Sequence, residues 1–131
     1  MPFNSSKSAS ITHKTCLKYP APFGTPRKDV VLDANDVTAF PAPSDGSRFL
    51  VPVGTILVDS TVSGKQTKYD GSNGPIVGIL SEPVDLVANV TEGYEPAAVF
   101  FHGVIFATEQ IVDFTLYAAD LVSDLPRCDF Q

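Results

Sequence analysis

The sequence predicts a β-rich fold, made mainly of strands with one short helix near its carboxyl end. Short apolar runs separated by turns rich in Gly, Pro and Asn fill the middle of the chain, and a later segment changes to helical spacing. The chain has 131 residues, 44% of them hydrophobic, so it can bury one core without a metal or a disulfide. We therefore predict one compact domain over residues 30–125, followed by a tail at residues 126–131.

The amino-terminal part of the chain differs from the rest in charge. Residues 1–28 carry five basic residues and no acidic one, whereas residues 29–131 carry four basic and all fifteen acidic residues. The first part is also rich in Ser, Thr, Lys and Pro, which gives it too little apolar surface to offset the entropy cost of ordering. We expect residues 1–29 to form a flexible basic arm attached to an acidic body.

One stretch of this arm has the loose alternation of a strand that could add to the edge of another sheet. The candidate binding segment consists of Ile11, Thr12, His13, Lys14, Thr15, Cys16, Leu17, Lys18 and Tyr19. A disordered tail is the alternative interpretation, and the sequence leaves both open.

Five strands are predicted in the body. They cover residues 37–40, 49–59, 67–69, 75–80 and 96–108. Pro52 and Gly54 predict either a bend in the second strand or a position at the edge of a sheet. A turn follows the third at residues 70–74, where Gly and Asn tolerate positive φ. In the last strand Val99 and Phe100 begin two alternating apolar sets, so both of its faces should be buried.

A helix is predicted over residues 109–122 and should end before Pro126. A strand is the alternative, because Val112, Phe114, Thr115 and Tyr117 would also suit one. The apolar residues that recur at its three-to-four spacing are Ile111, Phe114, Ala118, Leu121 and Leu125.

The sequence offers few groups for chemistry. Only His13 and His102 could serve as imidazole bases, and the neighbours of His102 indicate a packed strand or a subunit interface, to which Phe100 would also contribute. The turn at residues 70–74 lacks the ligand spacing of a calcium loop. We therefore predict no enzyme activity and no catalytic, cofactor-binding or metal-binding residues.

Partners and thiols can also be predicted. The acidic body should repel nucleic acid, and no apolar stretch is long enough to span a membrane. A protein surface is therefore the expected partner of the arm. Cys16 and Cys128 lack metal-ligand spacing and are predicted to be free thiols.

The central sequence resembles the head decoration proteins of lambda-like tailed bacteriophages. The resemblance rests on residues 51–58 (VPVGTILV), 68–80 (KYDGSNGPIVGIL), 84–85 and 98–104 (AVFFHGV), in that order and spacing. The matching positions are Gly54, Tyr69, Asp70, Gly71, Gly78, Ile79, Leu80, Val84, Asp85 and Gly103. The arm is longer and richer in proline than is usual in this family, and residues 121–131 do not match its apolar closing segment.

This resemblance implies a structural virion protein, assembled in the host cytoplasm. It would bind the outer capsid surface as a homotrimer at local three-fold positions, clamp neighbouring major capsid subunits and so stabilise the expanded head. The arm would be loose in solution and become ordered against a capsid strand. Two other functions stay open: a surface adhesion or glycan-binding module that uses residues 70–74, and a small trimeric β-rich enzyme.

Overall fold

The computed structural model describes residues 15–20, 26–33, 39–40, 48–62, 64–87 and 94–131. In these residues the strands are β1 (Arg27–Asp33), β2 (Arg48–Val51), β3 (Ile56–Asp59), β4 (Gln66–Lys68), β5 (Ile76–Leu80), β6 (Val84–Val87), β7 (Tyr94–Phe100), β8 (Ile105–Phe106) and β9 (Asp129–Phe130). A 3-10 helix covers Thr108–Gln110, and one α-helix, α1, covers Phe114–Asp124 with a kink at Tyr117, whose φ is −120°.

Five of the strands close into a barrel in the order β1-β4-β3-β5-β7. All of its pairings are antiparallel except β1 with β4, which meet only where Leu32 faces Gln66. The Gln66 side chain extends this short contact because its amide oxygen accepts a hydrogen bond from the backbone N–H of Val31 at 2.9 Å. A side chain thus supplies a hydrogen bond between β1 and β4 where backbone pairing is missing. Strands β2 and β6 form a separate antiparallel pair.

Neighbouring residues of the central strands point into two different buried clusters. On β3, Leu57 joins one cluster, while Ile56 and Val58 join the other. The first cluster, here the strand core, contains Val30, Leu32, Phe40, Val51, Leu57, Leu80, Leu86 and Val99. The second, here the helix-side core, contains Cys16, Val53, Ile56, Val58, Tyr69, Ile76, Ile79, Phe100, Val104, Phe106, Ile111, Leu121, Leu125 and Cys128.

Segments from opposite ends of the described chain meet on β8. Strand β9 pairs with β8 in parallel, and Leu17 forms an antiparallel bridge to Phe106. The backbone N–H of Lys18 donates to the carbonyl of Ile105 at 2.9 Å, and that of Ala107 donates to the carbonyl of Cys16 at 2.8 Å. We call residues 16–18, β8 and β9 the terminal sheet. It covers one side of the helix-side core.

The prediction of a β-rich fold with one short carboxyl-terminal helix is confirmed. The bend in the long apolar run is also confirmed, because β2 ends at Val51 and β3 begins at Ile56. Residues 70–74 form the expected turn between β4 and β5. Apolar runs, helical spacing and turn chemistry were sufficient for these elements because all three are local properties of the chain.

Three element predictions need correction. The strand expected at residues 96–108 is divided, because β7 ends at Phe100 and Gly103 takes a positive φ of 72° before β8. The helix expected from residue 109 begins only at Phe114, since Asp113 before it is left-handed, with φ 62°. In the strand expected at residues 37–40, residues 37 and 38 lie outside the described residues, and Ala39 and Phe40 are not in a strand.

Candidate protein-binding surfaces

The candidate arm segment is divided by the described residues. Ile11, Thr12, His13 and Lys14 lie outside them, whereas residues 15–19 lie along β8. Within the described part, Cys16 is fully buried and Leu17 packs partly against the helix-side core. Thr15, Lys18 and Tyr19 are exposed. This segment therefore adds to a strand of its own domain.

The Cys16 side chain anchors this segment. Its thiol lies 3.7 Å from the carbonyl oxygen of Leu80, a hydrogen-bond acceptor on β5. Burial raises the pKa of Cys16 to about 12, so the group is a neutral thiol rather than a reactive thiolate. Cys128 is also buried, which raises its pKa, and both cysteines are free, as predicted.

Residues 26–33, which contain the end of the predicted arm and strand β1, run from solvent into the fold. Pro26, Arg27, Lys28 and Asp29 are exposed, whereas Val30 and Leu32 are buried. The first three strand residues, which sequence reasoning assigned to the arm, pair with Ala98, Val99 and Phe100 of β7. Their charged side chains thus lie in solvent beside β7.

The turn at residues 70–74 is held to α1 by side chains of the helix. The hydroxyl of Tyr69 donates to Asp120 Oδ2 at 2.7 Å, and the backbone N–H of Ile76 donates to Asp124 Oδ2 at 3.0 Å. The hydrogen bond to Asp120, with help from burial, raises the pKa of Tyr69 to about 12. These two carboxylates fix the turn on one side of the helix.

The turn also has internal hydrogen bonds. Asp70 Oδ1 accepts from the backbone N–H of Ser72 at 2.8 Å and from its hydroxyl at 2.9 Å. The bond from the Ser72 backbone N–H is the largest cause of a lowered pKa for Asp70. Asn73 accepts from the backbone N–H of Asp70 and donates to the carbonyl of Lys68.

An open cavity of about 410 Å³ lies beside this turn. Its wall includes Tyr69 and Tyr117, whose ring centroids are 4.8 Å apart in an edge-to-face arrangement. Thr67, Lys68, Asp70 and Asn73 add polar groups to the wall. Tyr117 is a residue that sequence reasoning missed, because only the folded helix brings it to the turn.

Three glycines between residues 51 and 80 have structural roles. Gly54 has φ 92°, and a Cβ there would collide with the backbone carbonyl of Gln110. A Cβ on Gly78 would lie 2.6 Å from Val99 Cγ2, inside the strand core. Gly71 has φ 98° and lies against the Tyr117 ring. These positions require Gly for close approach or for a left-handed backbone.

The other motif positions also contribute to packing. Ile79 and Leu80 are both fully buried, Ile79 in the helix-side core and Leu80 in the strand core. Val84 faces Val51, and Asp85 faces Leu50, across the β2–β6 pair. The motif therefore marks where the two cores, the turn and the β2–β6 pair meet.

The two residues predicted for a subunit interface lie in different surroundings. Phe100 is only 8% exposed and packs in the helix-side core of its own domain. His102 is exposed in the loop between β7 and β8, with its ring 6.3 Å from that of Phe101. The interpretation of His102 as part of a packed strand is therefore wrong.

The outer face of α1 is an uncharged surface with exposed apolar residues, and sequence reasoning did not single it out. Its exposed positions are Thr115, Leu116, Ala119, Val122 and Ser123. None of them is charged, and Leu116 and Val122 are 69% and 58% exposed. The helix spacing placed Leu121 and Leu125 correctly inside, but it could not show that apolar residues also occupy the outside.

No group of three or more His, Cys, Asp or Glu side chains is positioned to hold a metal within the described part of the chain. In the same residues no helix is long and apolar enough to cross a membrane. Comparison of the chain with models of protein families, with curated proteins and with solved structures gives no match.

Proposed function

We propose that this protein is a structural virion protein that binds the outside of a phage capsid as a homotrimer and stabilises the expanded head. The observation that carries the proposal is the sequence motif over residues 51–104, which resembles the lambda-like head decoration family. In support, its glycines and buried aliphatic residues lie at packing contacts where few other residues fit. Such a motif is a property of a fold, so it is expected to persist where surface residues vary.

The charge distribution suggests how the trimer would bind. A basic arm on each acidic body would let one trimer contact three neighbouring capsid subunits at once. Each strand-addition contact could be weak, because linkage raises the effective concentration of the second and third arms. A clamp of this kind stabilises the capsid state that it binds without any chemical step.

The fold restricts which part of the arm is free for this role. Residues 16–18 belong to the terminal sheet, and Cys16 is fully buried. Ile11 to Lys14, together with the residues before them, are therefore the better candidates for capsid contact than residues 15–19. The candidate binding segment thus becomes the part of the arm that precedes Thr15.

The experiment is co-sedimentation of the protein with expanded capsids lacking decoration, combined with light scattering of the free protein. We expect saturation near one copy per major capsid subunit and a free mass of three times 14.0 kDa. Deletion of residues 1–14 should abolish capsid binding while retaining the trimer. Binding that survives this deletion would exclude the arm as the clamp. Deletion through residue 19 is a poorer test, because it also removes the buried Cys16.

A glycan-binding module is the second candidate, favoured by the cavity between Tyr69 and Tyr117. It ranks lower because two of the cavity's polar side chains are already engaged within the protein: Tyr69 bonds to Asp120, and the Asn73 amide bonds to Lys68 and Asp70. Calorimetric titration with host surface polysaccharide tests it. Saturable heat that Tyr117→Ala abolishes would favour this function, and no heat would exclude it for that polysaccharide.

A further inference from the structure

The exposed face of α1 has two features that contrast with the acidic character of the chain as a whole. It carries an apolar stripe, Leu116, Ala119 and Val122 at a spacing of three residues, beside the polar Thr115 and Ser123. It is also free of charge over all its exposed positions, although the whole chain has a net charge of −6. Exposed apolar groups that are contiguous mark interaction sites more often than scattered ones do.

Hydrogen bonds and an ion pair hold the acidic residues in and just before α1 away from this face. Asp120 accepts a hydrogen bond from the hydroxyl of Tyr69, and Asp124 accepts one from the backbone N–H of Ile76. Asp113, just before the helix, lies 3.6 Å from the ammonium of Lys68. All three carboxylates are thus engaged with β4, β5 or the residue that follows β4. The outer face is left without a formal charge.

Charge identifies which partner fits such a face. Two copies of a chain with a net charge of −6 repel one another wherever their acidic surfaces approach. A face without charge is where that repulsion is least, and burial of apolar side chains there is favourable. A cationic partner would gain nothing from this face, because it offers no carboxylate. A second copy of the same chain is therefore the occupant that this surface suits.

We infer that the α1 face formed by Leu116, Ala119 and Val122 is the surface through which copies of this chain associate, helix beside helix, around the axis of the trimer. This inference rests on the homotrimer of the proposed function and assigns the contact that would hold it together. The apolar stripe is small compared with a standard interface of about 800 Å² per partner, so it would form the centre of a contact with a polar rim.

The test is the mass of the free protein in solution for the double variant Leu116→Asp, Val122→Asp. Because both side chains are largely exposed, their replacement should leave the far-ultraviolet circular dichroism unchanged. We expect the mass to fall from three times 14.0 kDa to 14.0 kDa. The matched control is Val62→Asp, which adds charge at a 45% exposed apolar residue between β3 and β4 and should remain a trimer.

A second variant keeps the inference testable if the double variant fails to fold. Ala119→Cys places a thiol on the face, and the native Cys16 and Cys128 are buried and so do not compete. Mild oxidation should link two copies by a disulfide between the two introduced thiols if the faces meet, with two electrons and two protons passing to the added oxidant. The control Val62→Cys should not cross-link under the same conditions.

The outcomes separate this inference from the proposed function. A double variant that stays trimeric, or an Ala119→Cys protein that does not cross-link, would overturn the α1 contact while leaving capsid decoration intact. A trimeric double variant that no longer co-sediments with capsids would assign the face to the capsid and also overturn the inference. A native protein that is monomeric yet binds capsids would refute the trimer and the inference together, but not capsid binding.

Discussion

The two cores of this protein are assembled in different ways. The strand core draws every member except Phe40 from β-strands between positions 30 and 99. The helix-side core joins residues from Cys16 to Cys128 and needs the terminal sheet as well as α1. Because contacts distant in sequence cost more loop-closure entropy, the helix-side core should be the less independent of the two. The substitutions below test that difference, from the largest expected effect to the smallest.

Phe106→Ala should have the largest effect. Phe106 is fully buried, and its ring stacks on Phe130 at a centroid distance of 5.3 Å. Its loss should lower the free energy of unfolding by about 3–5 kcal/mol, measured by urea denaturation. Hydrogen exchange should then increase first at Lys18, Asp129 and Gln131, whose N–H groups bond to β8 or to Val104 beside it.

Leu57→Ala is the control for that substitution, because Leu57 is equally buried but lies in the strand core. We expect a loss of about 2–5 kcal/mol that is shared by all strands of the barrel. If Phe106→Ala also increased exchange uniformly across β3 and β5, the two cores would form one cooperative unit and the distinction between them would be wrong.

Gly54→Ala should have the next largest effect, because Gly54 lies at the joint between β2–β3 and the 3-10 helix. Its carbonyl accepts from the N–H of Val112 at 3.0 Å, and a Cβ would collide with the carbonyl of Gln110. The clash and the φ of 92° together should cost about 2–4 kcal/mol in thermal or urea unfolding.

Gly103→Ala separates the clash from the backbone strain. Gly103 also has a positive φ, of 72°, but no atom lies within 4 Å of the position of its Cβ. Strain alone should cost about 1–2 kcal/mol. Equal losses for both glycines would show that contact with Gln110 contributes nothing.

Alkaline pH should weaken the helix-side core before the strand core. Folding raises the pKa of Cys16 from 9.0 to about 12 by burial, and that of Tyr69 from 10.0 to about 12 through its bond to Asp120. Both groups stabilise the fold fully below their unfolded pKa values, and this contribution is lost as the pH rises through their folded values. Stability should therefore fall between about pH 9 and pH 12.

Tyr69→Phe tests the part of this loss that belongs to the phenol. The variant should be less stable than the native protein at pH 7, because Asp120 loses its donor. Its stability should also fall less steeply above pH 10, measured by urea denaturation across the pH series. If the free energy of unfolding fell equally steeply above pH 10 in the variant and the native protein, Tyr69 would not remain protonated in the folded protein at that pH.

Lys68→Ala should have the smallest effect. The Lys68–Asp113 pair spans 3.6 Å with side chains 29% and 43% exposed. Such surface pairs contribute at most about 0.5–1 kcal/mol, and less at high salt. A loss above about 2 kcal/mol in low salt would show that Asp113, left-handed before α1, depends on this lysine for the start of the helix.

The sequence alone determined the elements whose signals are local. Apolar runs between turn signals identified β3 and β5, the bend at Gly54 followed from Pro52 and Gly54, and the turn at residues 70–74 followed from its Gly and Asn content. The spacing of Leu121 and Leu125 identified the inner face of α1. Each of these follows from a few neighbouring residues, so no distant contact was needed.

Only the tertiary structure decided the remaining features. Cys16 and Leu17 were predicted to lie in a flexible arm that could add to another sheet, yet they pair with β8 of their own domain, where Leu17 bridges to Phe106 and Cys16 is fully buried. Strand β1 begins inside the arm because its backbone pairs with β7. Tyr117 reaches the turn, and Leu116 and Val122 are left on the outside, because other side chains of α1 fill the core. These placements depend on contacts between residues far apart in the sequence, and a local sequence pattern does not predict such contacts.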